Sequence, residues 1–135
     1  MSLVLEYLTN AIKKRCTAFF ISDFITEENF KNALSIANRK HDVVAVQVYD
    51  KRETELPNVG LMKMQDSEMN EISERGEEKW IDTSSKRVRD TYSQWWSQRQ
   101  SRVLDAARKS RVDITAIATD EDYVLALMNL FKHRG

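Results

Sequence analysis

The stretch CTAFFISDF, Cys16 to Phe24, decides the fold. Thr17 to Ile21 are apolar or β-compatible without alternation, which predicts a strand buried on both faces at the centre of a parallel sheet. The run stops at Ser22 and Asp23. That places Asp23 at the carboxyl end of the strand, where open α/β sheets keep their ligand crevice.

Upstream, Val4, Leu5, Leu8, Ala11 and Ile12 recur at helical spacing, predicting a helix over 3–13 with Ser2 as N-cap. Lys13, Lys14 and Arg15 suit its C-terminal dipole. Downstream, Thr26 reads as an N-cap with Glu27 and Glu28 behind it, starting a helix to about Lys40 that buries Phe30, Ala33, Leu34 and Ala37. VVAVQVY, Val43 to Tyr49, is the second strand, and a short helix between two strands makes a parallel βαβ unit. Asp50 ends this strand as Asp23 ends the first.

The segment 51–82 breaks the rhythm with Pro57, Gly60 and Gly76. It reads as an acidic loop and a small antiparallel ribbon built from Leu61–Met64 and Lys79–Asp82, turning near Asp66 to Asn70. Ser84 or Ser85 then caps a long helix to about Ser110, with Val88, Tyr92, Trp95, Val103 and Ala106 on one face, widened by Trp96 and Ala107 and containing Arg99. Val112 to Ala118 is the third strand. Thr119 and Asp120 open the last helix, whose buried face is Tyr123, Val124, Leu127, Leu130 and Phe131. The expected fold is α/β, a three-stranded mainly parallel sheet with helices on both faces plus the ribbon, in a single domain over 1–135.

The formal net charge is zero, from 21 basic and 21 acidic residues, which removes the general electrostatic case for nucleic acid or an anionic membrane. Charge is uneven along the chain. Nine acidic and three basic residues fall in 53–82, against eight basic and two acidic in 84–111. Cys16 is the one cysteine, so no internal disulfide forms and a reducing, cytoplasmic setting is expected. No apolar run approaches the ~20 residues of a membrane helix, and the first residues lack the pattern of a secretory signal.

Asp23, Asp50 and Asp120 all fall at carboxyl ends of predicted strands, where clustered carboxylates hold Mg²⁺ through hard oxygen ligands. Aspartate is also a common turn residue that bonds its own backbone. His41 and His133 have no cysteine or second histidine at ligand spacing, which leaves zinc without a site, and both read as surface residues. Cys16, at the wrong end of its strand and without an evident base, reads as a buried, inert thiol. With three glycines there is no phosphate-cradling loop.

ISDF at Ile21 to Phe24, HDVVAVQVYD at His41 to Asp50, ELP at Glu55 to Pro57, Gly60, DSE at Asp66 to Glu68 and IDT at Ile81 to Thr83 follow one another in a characteristic order. In this the chain resembles the family catalogued as domain of unknown function fifty-eight, which looks like a von Willebrand factor A-like domain. Such domains carry a metal-ion-dependent adhesion site made of a DxSxS loop, a threonine and a later aspartate. Asp23 matches only that later aspartate, and Asp82-Thr83-Ser84-Ser85 has the wrong spacing for the loop. The resemblance is therefore to the carboxyl-terminal half of such a domain, with an incomplete metal site at Asp23 that Asp50 would extend.

The resemblance implies a binding module rather than an enzyme. Its surface would include Ser22, Asp23, Asp50, Thr119 and Asp120, and its partner would be a protein, by similarity a MoxR-type AAA ATPase acting in assembly or maturation of other proteins. No cofactor is expected in this chain, while a complete domain of that kind would take Mg²⁺. Self-association is expected, through the Thr17–Ile21 edge or the first helix. The alternative reading is a small Mg²⁺-dependent phosphoryl-transfer or hydrolytic domain using Asp23 and Asp50.

Overall fold

The computed structural model describes residues 1–26, 28–64 and 79–134. In chain order the elements are α1 (Ser2–Ala11), β1 (Thr17–Ser22), α2 (Lys31–Lys40), β2 (Asp42–Tyr49), a 3₁₀ turn (Lys51–Glu53), β3 (Leu61–Met64), β4 (Lys79–Asp82), α3 (Lys86–Lys109), β5 (Asp113–Ala118) and α4 (Tyr123–Arg134). They divide into two compact units, Met1–Lys51 with Arg99–Gly135, and Arg52–Gln98.

The first unit is an all-parallel sheet in the order β1-β2-β5. Phe19 pairs with Val44 and Val46 with Thr115, so Phe19, Ile21, Val44, Val46, Thr115 and Ile117 share one face. The opposite face carries Phe20, Val43, Ala45 and Ile114. That second face holds the main core, packed by Leu5 of α1, Phe30, Leu34 and Ala37 of the α2 segment, and Val103 of α3. The first face is covered by α4. Its Phe131 ring meets Phe19 edge-on at 6.1 Å, and Arg134 bridges Asp42 and Asp113 at the amino ends of β2 and β5. Helices thus lie on both faces, as the two strand-helix-strand rhythms require.

β2, buried along Val43 to Gln47, is the central strand. This corrects the expectation for Thr17 to Ile21. β1 is an edge strand, and alternate residues face solvent: Phe19 is 48% and Ile21 66% exposed. An unbroken apolar run reports that both faces are apolar. It does not report that both are covered.

Other local expectations change for identifiable reasons. Ser2 is the first residue of α1 rather than its cap, with Met1 in the cap position, and the helix ends at Ala11. Lys13 lies beyond it, yet its ammonium still donates to the carbonyl of Asn10 at 2.9 Å. Thr26 does not cap α2. Its hydroxyl accepts the N–H of Glu28 at 3.1 Å in a local turn, and the helix begins only at Lys31, with Phe30 at the cap position. The buried face of α2 is as expected, because Phe30 anchors the start of the helix against Phe24 at 5.6 Å. α4 buries Leu130 and leaves Tyr123, Val124 and Phe131 exposed.

α3 runs out of the second unit into the first. Ser85 caps it, its hydroxyl accepting the N–H of Val88 at 3.4 Å. It ends on Arg111, whose φ of 57° is left-handed, with Val112 N–H bonded to Ala107 C=O at 2.9 Å. Arg99, Val103 and Ala107 are buried, but Trp95 is 42% exposed and so is not core.

In the second unit β3 and β4 form the expected antiparallel ribbon, Leu61 opposite Asp82 and Met64 opposite Lys79. The turn expected near Asp66 to Asn70 lies outside the described residues. Thr83 organises the base of this ribbon. Fully buried, it donates its hydroxyl to Gly60 C=O at 2.6 Å, accepts the N–H of Val59 at 3.1 Å, and receives Arg89 on its carbonyl at 2.7 Å. Gly60 has a φ of +81°, a conformation in which a Cβ would be strained.

Candidate functional site

The carboxyl rim of the sheet begins where β1 ends. Ser22 is level with Gln47, and its hydroxyl accepts the N–H of Phe24 at 3.1 Å. Asp23 Oδ1 accepts the N–H of Ile25 at 3.0 Å. These two side chains fold a tight turn in which Phe24 takes a left-handed φ of 56° and drops its ring into the core between Phe20 and Phe30. The polar residues of ISDF thus do turn work, and its last residue does packing work.

At the other strands, Thr119 N–H bonds Tyr49 C=O at 2.9 Å, continuing the β2–β5 ladder by one rung. Asp50 is half-buried beside that rung. Asp120 is exposed and pairs with Lys51 at 3.6 Å. Asp23 follows the residue paired with Gln47, whereas Asp50 follows Tyr49. The two aspartates are therefore two residues out of step, ~6–7 Å along the strand direction. Among the described residues no three histidine, cysteine, aspartate or glutamate side chains lie close enough together to hold a metal ion. Mg²⁺ takes near-octahedral oxygen ligation, and of the three rim aspartates Asp23 is engaged by its own turn and Asp120 by Lys51.

Two polar side chains not anticipated as buried from the sequence, His41 and Gln47, lie inside the protein. His41, expected at the surface, is fully buried. Its Nδ1 accepts the backbone N–H of Cys16 at 3.1 Å and stands 3.4 Å from Cys16 Sγ, and its Nε2 is 3.0 Å from Leu8 C=O. Cys16 is half-buried rather than buried, and it does have an imidazole beside it. The signal in the sequence was position: His41 joins α2 to the central strand, where a side chain points inward. Gln47 is the second such group, a polar residue inside VVAVQVY. It exchanges two amide bonds with Gln100 of α3, at 2.8 and 2.6 Å.

Few side chains here have displaced acid–base behaviour. Hydrogen bonds from Ser84, first through its hydroxyl and then its backbone N–H, hold the Asp82 carboxyl below the usual aspartate range. The Asp105 carboxyl is lowered by Lys109 and then Arg108, and Arg134 is raised, first by its bond to Asp42. These groups are scattered rather than convergent. Among the described residues no helix is long and apolar enough to cross a membrane.

The chain is similar to an uncharacterized protein of Mycobacterium avium, at 25% identity over 134 residues that cover 99% of this chain and 75% of that protein. Uncharacterized proteins of Mycobacterium bovis and Mycobacterium tuberculosis match at the same identity, and the chain spans 40% of their length. No solved structure matches. The sequence pattern of one family is met over residues 1–102, about three quarters of the chain: the chain belongs to the family described as protein of unknown function DUF58.

Proposed function

We propose that this chain is a protein-interaction module, not itself catalytic, that acts with a MoxR-type AAA ATPase in the assembly or maturation of other proteins. The observation that supports an interaction role is the outer side of α1. Leu3, Val4 and Tyr7 are 77%, 58% and 67% exposed, while Leu5 on the inner side is fully buried. Large apolar side chains grouped on one exposed helix face fit a partner's surface better than water. The choice of an ATPase partner rests on the resemblance to von Willebrand A-like proteins that act with such ATPases.

The test is calorimetric titration of the chain into a purified MoxR-type ATPase from the same organism, in its ATP-analogue and ADP states. Binding in one of these states, abolished by Tyr7→Asp with unfolding unchanged, is the expected result. No heat in either state overturns the reading.

A further inference from the structure

β1 has one side of its backbone without a strand partner among the described residues. Cys16 C=O accepts Asp42 N–H, so the even-numbered residues of β1 turn their backbone groups toward β2. Thr17, Phe19 and Ile21 therefore turn theirs outward. The outward row contains no charge and no proline, the two devices that usually blunt an edge. The opposite edge, β5, differs: it starts with Asp113, already held by Arg134, and its remaining side chains are half-buried or buried.

We infer that two copies of this chain pair antiparallel through the outer edges of β1, in the register that sets Phe19 opposite Phe19 of the second copy. A two-fold axis perpendicular to the sheet makes like edges meet antiparallel and keeps each side chain on its own face. Three things select the register. Thr17 of one copy then faces Ile21 of the other, so all outward N–H and C=O groups from 17 to 21 are exchanged between copies. The side chains of Phe19, which Phe131 touches at one edge, and of the exposed Ile21 acquire cross-strand apolar neighbours. Beyond the apolar centre, Arg15 of each copy stands opposite Asp23 of the other, and both residues are exposed. A shift of two residues either way sets Arg15 against Ile21 or Ile25, and loses this opposition. The partner that the edge fits is thus the chain itself, and the result is a continuous six-stranded sheet. This inference is independent of the ATPase reading, which rests on α1.

Sedimentation of the purified chain tests it. The wild type is expected to be a dimer at micromolar concentration, with the amides of Thr17, Phe19 and Ile21 slow to exchange in the dimer and fast on dilution. Arg15→Asp and Asp23→Arg each raise the dissociation constant by roughly tenfold or more, because two opposed pairs become like-charged at once. The combined swap Arg15→Asp with Asp23→Arg restores dimerisation. A wild-type chain monomeric at high micromolar concentration, a dimer indifferent to both single changes, or a swap that fails to restore pairing overturns the inference.

Discussion

Nδ1 of His41 accepts the backbone N–H of Cys16 at 3.1 Å, tying the start of the central strand to the start of the edge strand. Nε2 lies 3.0 Å from Leu8 C=O, so with Nδ1 accepting from Cys16 the ring carries its proton on Nε2 and donates it to that carbonyl. His41→Ala removes a fully buried ring and orphans both backbone groups, and should cost about 2–4 kcal/mol in urea unfolding. His41→Phe keeps the volume but not the bonds, and should still cost about 1–3 kcal/mol.

Gln47 and Gln100 form a reciprocal amide pair, with Gln47 fully buried. Gln47→Leu should destabilise by about 1–3 kcal/mol because the Gln100 amide loses both bonds. Replacing both by leucine should recover most of that loss. A double-mutant cycle read by thermal unfolding measures the difference, and it is expected to be strongly non-additive.

Arg111 occupies the left-handed position that closes α3, where glycine is the usual residue. Its carbonyl accepts the Asn38 side-chain amide at 3.1 Å, a bond that does not depend on the side chain of residue 111. Arg111→Gly is therefore expected to stabilise the chain by about 1 kcal/mol, visible as a raised midpoint of chemical denaturation.

The Asp105 carboxyl is lowered from the ordinary aspartate value of 3.8, first by Lys109 and then by Arg108. A carboxyl whose folded value is depressed contributes stability that is complete above its unfolded value and is lost as pH falls through the lower folded one. Asp105→Asn should thus be less stable than wild type at neutral pH, and the two should converge as pH falls through and below the ordinary aspartate range. The group is exposed, so the difference should be small and should shrink in high salt.

Much of the fold could be read in advance because its signals are local. β3 and β4 coincide with the alternating runs Leu61–Met64 and Lys79–Asp82, and β2 with the valine-rich run Val43 to Tyr49. The first strand was harder. CTAFFISDF carries the composition of an interior strand, and composition cannot reveal whether a neighbour stands beside it. Thr26 was misleading because its hydroxyl closes a turn several residues before the helix that Phe30 anchors. The candidate site was legible only as positions. Ser22, Asp23 and Asp120 do lie on the carboxyl rim, but what each bonds is set by a turn or by Lys51, which spacing does not encode. His41 reads as a surface residue, and Thr83 only as part of a motif, because polarity in a sequence suggests water, yet each spends its polarity on backbone groups inside the protein.

The placement of β5 has a consequence for how the chain is made. β1, α2 and β2 are complete once residue 49 is synthesised, whereas the strand that covers the far side of β2 begins only at Asp113. During that interval the most apolar segment of the protein has an open backbone edge. Non-local parallel pairing is slow and leaves such edges exposed to other chains, so yield in a cell should depend on chaperone supply and fall as expression is driven faster.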